Sequence, residues 1–510
     1  MTPSLDLFRL IKSLTPTEKS YFKKFSSFTK SQSGKNVYLL LFDAIAAQNE
    51  YDESKLKKKF QGQPFIRQLP VVKNYLHSRI LDSLALYHSE MNPRVTVRNT
   101  LNKAEILRKK GLYDQAMKLL RKMKLFAKEN EMHLPLMDAA IHIEQGLALE
   151  KYDMKWFENV NKEIFDNLSL FRNDAALHEL NFKIAVYYHK YQSTRNPAFL
   201  RKAKEVINSK YLSDVSQAKT FFGRNRFFES HAFYALAKGD MKSVYENTKK
   251  VVSNYETSPG MVDRNFLSYI SALNNFINVC GELRKNEEGL KMLGKLVARP
   301  DLVNAVSIQA RVFYTYNYLF LFLNNNSGNF SEAAVRIAGI ANELKMFEEE
   351  MNDSEKAMMY VNMAITYFGL NDLKECIRLL NKIRNDLNME NHPEMDCFVR
   401  LFYLIAHYQS RNTDLMPYLI QSNYRFFSKK KDFYRLEAVF LELLKTKIAK
   451  AKTEDQKIEA FKEMKSKFIP LVNHPQEKSY FKYFDFISWI DSKINNQMYS
   501  ETLLKKYSKS

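Results

Sequence analysis

A helix end and a helix start are encoded together in the stretch Ala104-Glu105-Ile106-Leu107-Arg108-Lys109-Lys110-Gly111-Leu112-Tyr113-Asp114-Gln115-Ala116. Gly111 has no Cβ atom and can adopt the left-handed conformation that stops a helix, and a polar residue just after it can cap the next helix. Tyr113 can fill the base of the resulting hairpin, and the small side chain of Ala116 lets the two helices approach closely. The stretch therefore predicts two helices that turn at Gly111.

The same arrangement recurs three more times. The further copies are Gly239-Asp240-Met241 with Val244, Gly328-Asn329-Phe330 with Ala333, and Asn371-Asp372-Leu373 with Cys376. Gly111 and Gly239 are 128 residues apart, Gly239 and Gly328 are 89 apart, and Gly328 and Asn371 are 43 apart. One period of about 43 residues, taken three, two and one times, accounts for these spacings. Weaker copies lie at residues 147–153, 191–197, 283–289 and 409–414. The recurrence predicts an array of helical hairpins.

This pattern resembles the tetratricopeptide repeat (TPR), in which helical hairpins stack into a solenoid. The small residue that the family carries seven positions before the stop is matched by Ala104, Ala232 and Ala364, whereas Gly328 has Leu321 in that place. The step of about 43 residues exceeds the usual 34 of the family, so these hairpins would have longer helices or longer links. The resemblance implies an all-α fold, an α-solenoid of TPR-like hairpins with helical caps at both ends.

Three regions follow from this interpretation. They are a basic helical N-terminal region at 1–92, the TPR-like repeats at 93–430 and a C-terminal helical cap at 431–510. In the first region, Thr15-Pro16-Thr17-Glu18 supplies a capping hydroxyl, a proline at the first helical position and a glutamate three after the cap, so a helix begins there. Residues 8–22 are similar to the opening of an uncharacterised group of bacterial helical-repeat proteins, which implies no activity. In the last region, residues 476–507 predict one long helix that covers the final hairpin.

Composition limits the classes of protein to be considered. The 510 residues include only 13 Gly and 13 Pro, far fewer than the turns of an all-β chain require. No apolar stretch approaches the roughly 18 residues that span a bilayer, and no secretory signal is visible. Cys280, Cys376 and Cys397 are an odd number of widely spaced residues in apolar helical contexts, which is typical of reduced core thiols. We expect a cytoplasmic protein without a membrane span.

The sequence lacks the arrangements that are typical of catalysis. None of its 10 histidines forms a His-Glu-x-x-His pair, and it contains neither a Gly-rich phosphate loop nor a Gly-x-Ser-x-Gly elbow. Carboxylate pairs such as Glu287-Glu288 lie on polar helix faces, where solvated charge is the ordinary role. We expect no enzymatic activity, no cofactor, no metal and no small-molecule substrate.

Basic residues are concentrated near the start of the chain. Residues 1–130 hold 25 Lys and Arg against 11 Asp and Glu, so they carry +14 of the total charge of +21. Such clusters attract RNA, DNA or acidic protein segments, although lysine-rich helices most often present ordinary solvated faces. The candidate anion-binding residues are Lys57, Lys58, Lys59, Lys73, Arg79, Lys110, Arg121, Lys122 and Lys124.

A DNA-binding helix pair is one alternative within this basic region. Residues 53–60 would form its first helix and residues 70–84, with Lys73 and Arg79, its recognition helix. The link at 61–69 is longer than the usual turn of three or four residues, and the second helix is apolar on a broad face. A helical cap that packs on the first repeat is therefore the preferred interpretation.

The TPR resemblance also implies which positions of the first helices face the groove. These positions, our candidates for partner contact, are Arg98, Arg108, Lys109, Arg226 and Tyr318. The favoured function is a non-enzymatic scaffold or adaptor whose groove holds a peptide or helical segment of another protein, including an acidic one. The alternative is a nucleic-acid-binding or ribosome-associated factor that binds phosphate through its basic N-terminal quarter.

Overall fold

A computed structural model of the chain describes residues 3–27, 37–48, 50–89, 93–190, 197–303, 306–389, 392–429, 435–472, 474, 477 and 480–507. All regular secondary structure in these residues is helical, as the composition predicts. The chain forms two compact units, Met1–Leu168 and Ser169–Ser510. The three predicted regions, at 1–92, 93–430 and 431–510, stay a prediction.

The first unit contains both short and long helices. They are α1 (Pro3–Ser13), α2 (Pro16–Ser27), α3 (Val37–Ala46), α4 (Glu53–Lys59), α5 (Leu69–Ser89), α6 (Pro93–Lys109), α7 (Tyr113–Glu129), α8 (His133–Ala139), α9 (Gln145–Glu150) and the first part of α10 (Met154–Lys190). The 3₁₀ turn Pro64–Gln68 precedes α5, and the π-helical turn Ala140–Glu144 joins α8 to α9. Because that turn is itself helical, α8 and α9 run on as one helix.

Two hydrophobic clusters hold the first unit together. The first joins α1, α2, α3 and α5 through side chains such as Ile11, Phe42 and Ile80, which are almost fully buried. The second joins α6, α7 and α8 and includes the fully buried Ala104. The predicted start of α2 is confirmed, because Glu18 N donates to Thr15 Oγ1 at 3.3 Å and Thr15 N donates to Glu18 Oε2 at 2.8 Å.

Most helices of the second unit are long and follow one another as hairpins. They are α11 (Pro197–Ile207), α12 (Phe221–Lys238), α13 (Met241–Thr257), α14 (Met261–Arg264), α15 (Phe266–Glu282), α16 (Asn286–Val297), α17 (Val306–Ser327), α18 (Phe330–Phe347), α19 (Asp353–Gly369), α20 (Leu373–Asp386), α21 (Pro393–Gln409), α22 (Met416–Ser428), α23 (Arg435–Leu443), α24 (Glu454–Val472), α25 (Phe486–Ile494) and α26 (Tyr499–Tyr507). Short 3₁₀ turns lie at Lys210–Leu212, Val215–Gln217, Pro300–Leu302, Glu348–Glu350 and Tyr480–Lys482, and a π-helical turn at Leu444–Ile448 follows α23.

The predicted hairpin turns are confirmed residue by residue. The four stop residues are left-handed, with φ of 73° at Gly111, 74° at Gly239, 77° at Gly328 and 61° at Asn371. The small residues Ala116, Val244, Ala333 and Cys376 are all at most 1% exposed. Three weaker copies also turn through left-handed residues, Tyr152, Arg284 and Arg411. The fourth, at 191–197, lies outside the described residues except for its last position.

Each turn is closed by the same pair of backbone hydrogen bonds. At the first hairpin, Leu112 N donates to Leu107 O at 2.9 Å and Gly111 N donates to Arg108 O at 2.9 Å. The bond from the residue after the stop to the carbonyl five positions earlier recurs at Asp240, Asn329 and Asp372, with lengths of 2.9 to 3.0 Å. This is the Schellman arrangement, which satisfies carbonyl groups that the end of a helix would otherwise leave unpaired.

Successive hairpins of the second unit pack on one another. The paired helices are α12 with α13, α15 with α16, α17 with α18, α19 with α20, and α21 with α22. First helices of neighbouring hairpins also touch, α15 against α17 and α17 against α19. One continuous hydrophobic core extends from Phe221 on α12 to Leu503 on α26. Cys280, Cys376 and Cys397 are buried within it and form no disulfide, as the sequence predicts.

The prediction of one long helix at 476–507 is wrong. The described part of this region, residues 480–507, is called here the C-terminal segment, and it consists of the 3₁₀ turn Tyr480–Lys482 followed by α25 and α26. Asp485 starts α25 by accepting a hydrogen bond from Ser488 N at 2.9 Å, and the left-handed Asn496 (φ 47°) separates α25 from α26. Short polar side chains that favour caps and turns therefore break the helical pattern.

The sequence suggested that the C-terminal region packs on the last hairpin. In the structure, the C-terminal segment packs on several hairpins. It crosses the first helices of several hairpins: Lys482 Nζ lies 2.6 Å from Glu282 Oε1 on α15, and the ring of Phe484 lies 5.5 Å from that of Phe368 on α19. On α21, the rings of Phe398 and Tyr483 are 4.9 Å apart. The segment thus covers one face of α15, α19 and α21 in the second unit.

The left-handed turns can be tested by substitution at Gly111, where an added Cβ atom would meet no neighbouring atom. Gly111→Ala should lower the free energy of unfolding by about 1–2 kcal/mol, because an L side chain is strained at a φ of 73°. Gly111→Asn should cost less, since Asn371 adopts the same conformation. Urea denaturation followed by circular dichroism measures both changes.

Gly294 is the matched control for this test. It lies inside α16 with open space around an added Cβ atom, so Gly294→Ala should stabilise the protein by about 0.5–1 kcal/mol. Equal effects at the two glycines would contradict the role given to Gly111.

Candidate partner-binding face

Lys73 is a structural residue rather than a free cation. Its Nζ atom lies 2.6 Å from Glu53 Oε2 and donates to the Tyr51 hydroxyl at 3.2 Å, and the residue is 5% exposed. Hydrogen bonds from Lys73 and Lys57 lower the pKa of Glu53 to about 2. Lys57 pairs with the other oxygen of this carboxylate at 2.9 Å. Glu53 therefore links α4 to α5 through Lys73, while Lys57 pairs with it within α4.

The predicted recognition helix turns its basic side chains towards the protein. Within α5, Lys73 is committed to Glu53, and the guanidinium of Arg79 lies 4.5 Å from the centre of the Phe25 ring on α2. A helix that reads DNA must present such side chains to the bases. The geometry therefore agrees with a packing role for α5.

Lys124 is also held inside the first unit. Its Nζ atom lies 2.7 Å from Glu144 Oε2 and 2.6 Å from Glu163 Oε2, and Lys128 adds a contact of 3.2 Å to Glu163. Burial alone would lower the pKa of Lys124, but the two carboxylates raise it above its ordinary value. This buried cluster links α7 to the π-helical turn and to α10.

The predicted partner contacts divide into covered and exposed residues. Tyr318 is buried on α17, where its hydroxyl donates to Asn278 Oδ1. Arg226 is half-buried, 3.9 Å from Asp174, and Arg108 is half-buried, 3.5 Å from Glu150. The exposed members of both sets of candidates are Arg98, Lys109, Lys57, Lys58, Lys59, Lys110, Arg121 and Lys122.

Arg98 and Lys109 lie on one exposed side of α6. Between them, Ile106 is exposed over 55% of its surface, on the side of α6 opposite the buried Ala104. The carboxylate of Glu105 lies 2.8 Å from Lys109 Nζ, and hydrogen bonding to Lys109 lowers the pKa of Glu105. This side of the helix therefore combines an apolar centre with basic ends.

The helix α8–α9, which follows the hairpin of α6 and α7, extends this exposed side of α6. Arg108 of α6 reaches Glu150 at 3.5 Å, and its guanidinium lies beside Gly146, so the two helices run side by side. The helix α8–α9 exposes Leu134, Ile141 and Leu149 over 55%, 44% and 71% of their surfaces. We name the exposed residues Arg98, Asn102, Ile106, Lys109, Leu134, Ile141, His142 and Leu149 the α6–α9 face.

The α6–α9 face was only partly anticipated. Sequence reasoning named Arg98 and Lys109 but missed the four exposed aliphatic residues. A helical projection of α6 could have found Ile106, because it stands apart from the buried stripe of Val97, Leu101 and Ala104. The aliphatic residues of α8–α9 are harder to find, since the π-helical turn changes the helical register between them.

A buried carboxyl group near Arg226 was also missed. Burial raises the pKa of Glu229 to about 7, although the charge of Arg226 acts in the opposite direction. Glu229 also helps to raise the pKa of the neighbouring Tyr255 to about 12, after the larger effect of burial. Glu229 therefore changes its charge near neutral pH inside the second unit.

This titration predicts a pH-dependent stability. Because the folded state raises the pKa of Glu229 from 4.5 to about 7, it binds the proton more tightly than the unfolded state, and stability falls as pH rises through this interval. Glu229→Gln should remove the loss and stabilise the protein at pH 8 by up to about 3 kcal/mol. Urea denaturation at pH 4.5, 6 and 8 measures the difference.

The control is Glu246→Gln, at an exposed position of α13. The free energy of unfolding of Glu246→Gln should equal that of the wild type at every pH. A constant difference between Glu229→Gln and the wild type across this range would show that Glu229 does not titrate as described.

Comparison of the chain with protein-family models, with curated proteins and with solved structures finds no match. Among the described residues, no three His, Cys, Asp or Glu side chains gather as a metal-binding site would require. Across the same ranges, no helix combines the length and the apolar character needed to cross a membrane.

Proposed function

We propose that the protein is a non-enzymatic scaffold that binds an acidic, amphipathic helix of a partner protein on the α6–α9 face. The observation that carries this proposal is the exposure of Ile106, Leu134, Ile141 and Leu149 on two adjacent helices. We propose that these four side chains form one apolar surface, which is uncommon in proteins that act alone and typical of interaction sites.

The chemistry of the partner follows from the charges around these residues. Arg98 and Lys109 lie on α6 beside Ile106, and Lys110 follows at the end of the helix. Asp138 lies near His142 at 3.5 Å, so the α8–α9 side is more balanced. An acidic partner segment would gain steering and ion pairs along α6, whereas a basic segment would be repelled there.

A helical partner suits the geometry better than an extended one. Two adjacent helices present their apolar residues along a shallow surface, and they offer no sheet edge that an extended strand could join. The apolar face of a helix places its anchors at i, i+3, i+4 and i+7, which matches a surface lined by spaced aliphatic residues. The partner would carry Leu, Ile or Phe at these positions, flanked by Asp and Glu.

The wider architecture belongs to the same proposal. Confirmed left-handed turns at a step of about 43 residues support an α-solenoid of TPR-like hairpins, whose first helices present surface to partners. Such an array places no convergent catalytic groups around a pocket. We therefore propose an adaptor that acts in the cytoplasm, with no cofactor and no small-molecule substrate.

The alternative of a nucleic-acid-binding factor has less support. Lys73, Arg79 and Lys124 are occupied by Glu53, Phe25, Glu144 and Glu163, so the basic region has fewer cations available for phosphate. Salt separates the two functions: phosphate binding weakens steeply with ionic strength through counterion release, whereas apolar docking responds less.

The test uses a library of random 16-residue peptides selected on the full-length protein, followed by fluorescence anisotropy with a selected peptide. We expect selected peptides to combine acidic residues with helically spaced Leu, Ile or Phe. Ile106→Asp and Lys109→Glu should each weaken binding by about tenfold or more, which corresponds to about 1.4 kcal/mol.

Matched controls lie on α7. Leu125 is exposed over 63% of its surface, and Lys122 is exposed, so Leu125→Asp and Lys122→Glu repeat the same chemistry outside the α6–α9 face. They should leave binding unchanged. Equal losses on both helices, selection of basic peptides, or tight binding of a 30-nucleotide RNA with a steep salt dependence would reject the proposed function.

A further inference from the structure

The second unit contains a face of the same kind that is already covered by the chain itself. The first helix α17 lies between α15 and α19, and α26 of the C-terminal segment packs on α17 and, through Tyr499, on Phe368 of α19. Tyr499 is the central contact: its ring lies 5.9 Å from Phe330, 5.5 Å from Phe368 and 4.9 Å from Phe484. The helix α26 therefore occupies the position that a partner helix would take.

Three residues of α26, spaced four apart, are its most buried contacts. Tyr499 and Leu503 are buried, and Tyr507 lies beneath the guanidinium of Arg284, 4.5 Å from the ring centre. This spacing places all three on one side of a helix. The contacts with α26 define the recognition chemistry of the face: an aromatic, an aliphatic and an aromatic side chain in successive turns.

The fit beneath α26 is incomplete. A cavity of about 20 Å³ remains between α26 and the face, lined by Phe322, Asn325 and Asn362 on the first helices and by Tyr499, Leu503 and Tyr507 on α26. Asn325 is satisfied within the face, because it donates to Asn362 O at 2.9 Å and accepts from Thr366 Oγ1 at 2.8 Å. Asn325 is therefore paired without a hydrogen bond from α26, whereas Asp485 accepts one from Lys506 Nζ.

The link to α26 is built as a separate turn. Asn496 is left-handed, and Gln497 N donates to Ser492 O at 2.9 Å. These two features end α25 before α26 begins. Met498, just before α26, is exposed over 55% of its surface. In contrast, Phe486, Trp489 and Ile490 of α25 are completely buried. Departure of α26 breaks its contacts with the start of α25, where Lys506 Nζ lies 2.5 Å from Asp485 Oδ2 and donates to Ser488 Oγ at 3.4 Å, but the separate turn allows α25 to keep its buried residues in the core.

We infer that α26 is an exchangeable internal ligand of the second unit, and that the face beneath it binds a partner helix with Tyr or Phe, Leu, and Tyr or Phe at four-residue spacing. A basic residue beside the last aromatic would also suit this face, because Lys506 of α26 lies 2.5 Å from Asp485. Binding requires α26 to open first, so the affinity for such a partner is reduced by the fraction of molecules in which α26 is closed.

This inference is independent of the α6–α9 face and is tested on the full-length chain in two ways. In the first, hydrogen exchange of the wild type is followed by mass spectrometry. Amides of α26 should exchange at least about tenfold faster than those of α25, because α26 opens locally while α25 remains in the core. A smaller difference would show that α26 is a fixed part of the core and would overturn the inference.

In the second, a fluorescent peptide of residues 496–510 serves as the probe. Leu503→Asp removes the buried anchor of α26 in the protein and should raise its affinity for the wild-type peptide at least about tenfold over that of the wild-type protein. Glu501→Gln, at an exposed position of α26, should behave as the wild type. An unchanged affinity of Leu503→Asp overturns the inference, and if this variant fails to fold, the exchange measurement on the wild type decides.

Discussion

The structure depends on a backbone constraint, the left-handed residue that ends the first helix of each hairpin. At Gly111, Gly239, Gly328 and Asn371, the positive φ lets the next N–H reach the carbonyl five positions earlier, at 2.9 to 3.0 Å. The following helix then returns along the first, and a small buried residue allows the close approach. Such a hairpin buries only one side of each helix, so its remaining apolar surface must be covered by a neighbour.

Because of this requirement, the first helices of the hairpins carry apolar faces that are either covered by another segment or left exposed. Within the second unit, the C-terminal segment covers α15, α19 and α21, and residues such as Phe484 and Tyr499 belong to the same core as the hairpins. In the first unit, α6 and α8–α9 leave Ile106 and Leu149 exposed instead. The same chain thus shows both a covered and an open version of this kind of face.

Local chemistry made much of the fold predictable. Helix stops, the cap at Thr15 and the buried cysteines depend on residues close in sequence or on strong burial preferences, and these predictions are confirmed. The path of the C-terminal segment could not be predicted, because Phe484 meets Phe368 and Phe402 only after the hairpins have stacked. The roles of Lys73 and Lys124 were missed for a related reason: their carboxylate partners come from other helices.

The ion pairs of these lysines also affect the net charge that remains near the α6–α9 face. Glu53 is shared between Lys73 and Lys57, Glu144 pairs with Lys124, and Glu163 is shared between Lys124 and Lys128, so three carboxylates offset part of the charge of four lysines in the first unit. Glu144 and Glu163 lie beyond residue 130, so their contacts with Lys124 and Lys128 offset part of the excess of +14 that residues 1–130 carry. Exposed residues such as Arg98 and Lys110 carry part of the remaining positive charge, and their position near Ile106 is the basis on which we propose an acidic partner.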